Sequence, residues 1–164
     1  MTFRKASASL ARRVWFNHRE ATDVKIIRGV LVAFALAGAV TPALAATTVR
    51  VVEGGEGGGP MTLSVDQPTI KAGDTVFMVH NDAVTEEHEM VLVKLKSPDA
   101  TVHVVAGKHR VDEKQLKSMG EVSELKPGAD GQLKANLTAG SYLLLCNIKG
   151  HYEAGMHAML TVTK

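Results

Sequence analysis

Tyr142-Leu-Leu-Leu-Cys-Asn-Ile-Lys-Gly-His-Tyr-Glu-Ala-Gly-Met156 is the stretch on which the reading of this chain turns. It opens as a continuous apolar run, Tyr142 to Cys146, too short for a helix. Such a run suggests a central strand buried on both faces. It then becomes a small-residue loop carrying a thiol (Cys146), an imidazole five residues on (His151) and a thioether five further on (Met156). A soft anion, a borderline nitrogen and a weak soft sulfur on one loop suit copper better than other common metals. Cys146 is also the single cysteine of the chain. In an oxidising compartment it has no disulfide partner, and a metal bond supplies a role.

Working outward, the segments around this run are short and strand-like, and two of them, Thr47–Glu53 and Gln132–Leu137, alternate with a period of two. Thr47–Glu53, Met61–Val65, Thr75–Val79, Glu89–Leu95, Thr101–Ala106, Gln132–Leu137 and Ala158–Val162 read as strands, giving about eight with Tyr142–Cys146. Turn chemistry separates them at Gln67-Pro68, Ala72-Gly73-Asp74, Lys126–Gly131 and Ala139-Gly140. Gly54 to Pro60, with five glycines in seven positions, reads as a flexible loop. Asp112–Met119 is rich in helix formers and stops at Gly120, so a short helix is expected there, in an inter-strand excursion. The expected fold is all-β, an antiparallel sandwich. There is no internal repeat and no Rossmann or P-loop glycine signature.

The N-terminal region has a different character. Its first 28 residues hold seven Lys/Arg and two acids, followed by a 12-residue apolar stretch, Gly29–Val40, and the small-x-small site Ala43-Leu44-Ala45. That order describes a secretory signal. Residues 1–45 are expected to be a cleaved signal peptide and 46–164 the mature domain, placing the protein in the periplasm. The alternatives are an uncleaved anchor, or twin-arginine export through Arg12-Arg13. The apolar core is short of the ~20 residues that span a bilayer, so no stable membrane insertion is expected after cleavage. Cleavage also changes the charge: the whole chain carries +2, whereas residues 46–164 hold 12 basic and 15 acidic residues, or −3. The basicity belongs to the targeting segment and gives no argument for nucleic-acid binding.

One loop cannot complete a copper site, so a second imidazole must come from elsewhere. His18 leaves with the signal. His80 lies in a strand that could point it either way, His103 and His109 lie in the excursion, and His157 adjoins Met156. His88 ends the polar loop Asn81–Glu87 and opens a strand, a position from which it can reach a loop leaving a neighbouring strand.

With these residues in place the chain resembles the cupredoxins, the small blue-copper proteins of the plastocyanin/azurin superfamily. The Cys-x4-His-x4-Met spacing is most similar to the rusticyanin and sulfocyanin type of loop. Pro68–Val76 followed by Asn81 and His88 is similar to the family's approach to its first histidine. The likeness covers residues 47–95 and 121–164 but not the excursion between them. The resemblance implies a Greek-key sandwich and one type 1 copper. It also implies His88, Cys146 and His151 as equatorial ligands with Met156 axial. This chain departs from the pattern at Lys149, where many such loops have proline, and at Glu89, where Asn or Ser is common.

The absences narrow the function. One cysteine excludes a dinuclear purple site. The flanks of Cys146 are Leu145 and Asn147 rather than the histidine that wires a type 1 centre to a catalytic copper. Four protein ligands leave no open position for substrate. The expectation is therefore an electron-transfer protein and not an enzyme. It would be a monomer with a transient redox partner of the cytochrome or copper-oxidoreductase kind, and His151 would be its electron port. The alternatives are a copper carrier or resistance protein without redox turnover, kept open by His157, Met159 and the glycine-rich loop, and a metal-free interaction module.

Overall fold

The computed structural model describes residues 45–164; the expected signal segment, apart from its last residue, lies outside them. Eleven strands occur among the described residues: β1 Thr47–Gly54, β2 Thr62–Val65, β3 Thr69–Lys71, β4 Gly73–Asn81, β5 His88–Lys94, β6 Val104–Val105, β7 Arg110–Val111, β8 Lys117–Leu125, β9 Asp130–Leu137, β10 Gly140–Leu145 and β11 His157–Thr163. One sheet has the order β2-β1-β4-β9, the other β3-β11-β10-β5-β8, and β6 and β7 form a small hairpin. The expected β-sandwich is what forms.

Alternation builds the interior. Val49, Val51, Phe77 and Val79 of the first sheet meet Met90, Leu92, Tyr142, Leu144, Leu160 and Val162 of the second in one buried cluster. Such residues face one side of a strand because successive side chains point to opposite faces. β10 sits between β11 and β5 and is buried on both faces. Its other face, Leu143 and Leu145, joins Val91, Val93, Leu95 and Val111 in a second cluster under the excursion. That cover explains why Tyr142–Leu145 is apolar throughout instead of alternating.

Three expectations need correction. The helix at Asp112–Met119 does not form: the excursion contains two 3-10 turns, Ala106–Lys108 and Glu113–Gln115, and Lys117 onward is strand β8. Pairing with the free edge of β5 outweighs the modest helix propensity of this run. Gly120, expected as a helix stop, lies within β8 at φ +132°, where a Cβ would stand 2.7 Å from Leu133. The sandwich is also not wholly antiparallel, since β1 pairs with β4, and β3 with β11, in parallel. Finally, the glycine-rich loop is tied down. Glu56 accepts hydrogen bonds from the Val84 N–H at 2.5 Å and the Thr85 N–H at 3.2 Å, and the Met61 N–H donates to the Ala154 carbonyl at 3.2 Å.

Candidate metal centre

The end of the sandwich where β5 begins and β10 ends gathers the candidate ligands. Asn81 prepares the first of them. Its buried side chain donates to the carbonyls of Glu86 at 2.9 Å and Leu125 at 2.8 Å, and accepts from the Ala83 N–H at 2.9 Å. These bonds close the loop that delivers His88 to the start of β5, opposite Leu125 of β8. Asn81 was legible only as part of the resemblance; its three-bond role needs the fold.

The second loop folds back on itself. The His151 N–H donates to Ile148, Ala154 to Gly150, Gly155 to Tyr152 and Met156 to His151, all at 3.0 Å. The circuit ends where the Cys146 N–H donates to the Met156 carbonyl at 3.1 Å. Gly150 and Gly155 take φ of +87° and +103°, the left-handed region where a Cβ is disfavoured. This winding converts a spacing of five and five into proximity.

The result is three donor atoms at one point. The Nδ1 atoms of His88 and His151 are 3.3 Å apart, and Cys146 Sγ lies 3.4 Å from His151 Nδ1. All three atoms fall within 4.8 Å of one another. The two rings meet edge to face at 70°, with centroids 5.1 Å apart. His88, Cys146 and Met156 are completely buried, and His151 is 7% exposed. Met156 packs in the same apolar cluster as Cys146. This is the one such group of His, Cys, Asp or Glu among the described residues. The other histidines are engaged elsewhere or outside the site: His80 pairs with Asp130 at 2.8 Å, His109 with Glu153 at 2.9 Å, and exposed His157 stacks on Tyr152. His103 lines a cleft beside the excursion.

The electrostatics suit a cation. Burial pushes both imidazoles below the usual histidine range, so they are neutral and free to donate lone pairs. For His88 the Gly55 carbonyl, Glu86 and Glu56 oppose this; for His151 the neighbouring His88 reinforces it. Burial pushes the Cys146 thiol up to about 12, opposed by the backbone amides of Ile148 and Glu89 that face the sulfur. A bound cation inverts that preference, since a coordinating thiol is deprotonated outright. Glu89 thus keeps a backbone amide toward the sulfur although its side chain departs from the common pattern. Two neutral imidazoles and a dry thiol, with no carboxylate in the group, fit a borderline or soft ion and argue against a hard one.

A two-sheet sandwich with His, Cys and His converging at one end beside a buried Met defines the cupredoxin class of blue-copper proteins. The match to the sulfocyanin (SoxE) domain model spans residues 57–164, and the chain belongs to that family. Its cofactor is one type 1 copper, and members of the class carry electrons rather than transform substrates. No curated protein sequence matches the chain. Among solved structures, reduced auracyanin from Roseiflexus castenholzii is similar at 21% identity and a TM-score of 0.51, covering 73% of this chain and 99% of its own. Auracyanin B is similar at 23% identity and a TM-score of 0.50, covering 76% and 94%. These likenesses bear on the fold. No helix among the described residues is long and apolar enough to cross a membrane.

Proposed function

We propose that residues 46–164 form a periplasmic electron carrier, exported by the cleaved segment 1–45. In this reading His88, Cys146 and His151 are the strong copper ligands and Met156 is the weak axial one. The observation that carries it is the convergence of two imidazole nitrogens and the single thiol within 4.8 Å, inside the fold. Copper held by thiolate, imidazole and a weak thioether cycles between Cu(II) and Cu(I) with both states accessible.

The chain's part is to hold the donors still. The turns of residues 146–156, the Asn81 bonds and the packed interior leave little room for rearrangement when charge changes. His151 is the electron port, because it alone of the four ligands has an edge at the surface. It borders a shallow depression lined by Gly57, Gly58, Gly59, Lys149 and Ala154, where small residues let a redox partner approach closely. The partner interface is small and transient.

Loading the purified domain with Cu(II) tests the reading. An intense blue thiolate-to-copper band with narrow parallel hyperfine splitting is expected. Replacing Cys146→Ser should abolish the band, and Met156→Leu should keep copper bound while shifting the potential. A colourless complex that takes only Cu(I) would favour the carrier alternative. Persistence of the colour in the Cys146→Ser variant would refute the ligand set.

A further inference from the structure

Residues 97–116 leave β5, cross the outer face of the second sheet and return as β8. On the way they touch the ligand loop at three places. Asn147, next in sequence to Cys146, is 4% exposed, and both its side-chain oxygen and its side-chain nitrogen are hydrogen-bonded. Its Oδ1 accepts from the Val111 N–H at 2.6 Å, and its Nδ2 donates to the Val111 carbonyl at 3.1 Å and to Glu113 Oε1 at 2.5 Å. One amide thereby satisfies both backbone groups of β7's last residue, as a neighbouring strand would. The second contact runs from the Gly150 N–H to the His109 carbonyl at 2.8 Å. The third is the exposed pair of His109 Nδ1 with Glu153 Oε2 at 2.9 Å.

His109 makes two of these contacts from a left-handed backbone, φ +52°. A non-glycine residue there carries a cost of order 1 kcal/mol, retained only where surroundings over-determine it. Beneath the contacts, Val111, Leu143, Leu145 and Tyr152 pack in one apolar cluster. The loop needs this support, because neither Lys149 nor Gly150 restricts its own φ.

We propose that residues 103–113 are a strap that fixes the ligand loop before the metal arrives, with Asn147 as its latch. The inference rests on the copper reading above. Asn147 is a positioning residue: it lies between Cys146 and Ile148, whose amide faces the sulfur. Holding Asn147 against Val111 holds that amide in place. An amide facing a thiolate withdraws electron density from it and favours the reduced metal, so loosening the latch lowers the potential.

The decisive variant is Asn147→Leu, close in volume and without any of the three bonds. In the metal-free parent and variant, amide exchange is read by NMR at Gly150 and Val111. With copper, the parallel hyperfine splitting and the reduction potential are measured. The variant should bind one copper, exchange at Gly150 about tenfold faster in the metal-free state, show altered hyperfine splitting and have a lower potential. Parental exchange together with parental spectrum and potential would overturn the proposal. If Asn147→Leu does not fold, His109→Ala with Glu113→Ala removes only peripheral bonds. Faster Gly150 exchange in that double variant supports the strap, and an unchanged rate overturns it. A parent that binds no copper would sink the copper reading, while the metal-free exchange rates would still judge the strap.

Discussion

Glu53 is the residue whose placement is hardest to anticipate. It occupies an inward position of β1, is completely buried, and neither carboxylate oxygen has a hydrogen-bond partner among the described residues. Burial, reinforced by Glu89, raises its pKa from 4.5 to about 8. The folded domain therefore holds a proton here that the unfolded chain releases. Its stabilising effect is complete below about pH 4.5 and is lost as pH rises toward 8 and beyond. His88 and His151 act in the opposite sense, since their lowered values favour folding as pH rises. The Glu53 part is isolated by comparing the metal-free parent with Glu53→Gln. The parent should lose stability relative to the variant between about pH 5 and pH 8, by on the order of a few kcal/mol. Urea unfolding at several pH values checks this, and parallel curves for the two proteins would contradict it.

At the scale of elements, the site depends on how two loops are closed. The loop before β5 is held by one side chain, Asn81, whose three hydrogen bonds are all to backbone groups. Asn81→Ala leaves the Glu86 and Leu125 carbonyls without that donor. A loss of roughly 2–4 kcal/mol is expected, because unsatisfied buried groups cost more than a bond contributes. In urea this appears as a lower midpoint with an unchanged slope. A loss below about 0.5 kcal/mol would show that the loop is held by other means. The loop after β10 is closed by its own turns and by the excursion, so damage there should register first in the copper spectrum and only second in stability.

For the molecule as a whole, the proposed ligands come from elements far apart in sequence, and copper held as proposed would bridge them. Binding to the folded state alone stabilises it, by about 2.7 kcal/mol at a free copper level a hundredfold above Kd. For a domain of this size that corresponds to an upward shift in Tm of about 10 °C. Calorimetry with and without copper, and after a chelator, should show the rise and its reversal. The gain should shrink on acidification, because binding requires the thiol and both imidazoles to be without protons. A copper-independent Tm would mean that the folded chain binds copper no better than the unfolded chain does.

Much of this was legible in the linear chain. Strand-like composition between turn residues marked seven of the eleven strands within a residue or two at most boundaries, and the unbroken run before Cys146 announced a strand covered on both faces. The loop carried its donors in order, and His88 stood at the one loop-to-strand boundary suited to meet them. Those features are local, set by side-chain period, turn residues and ligand chemistry. The short β3, the conversion of Lys117–Met119 from expected helix to the start of β8, the parallel pairings, the burial of Glu53 and the Asn147 latch were not legible. Each depends on a partner distant in sequence: the edge of β5, the end of β11, the opposing sheet or the backbone of Val111. Sequence alone determined the class of fold and named the candidate donors. Only tertiary structure decided which groups lose water together, and burial of that kind sets whether a carboxyl keeps its proton and how firmly the ligand loop is held.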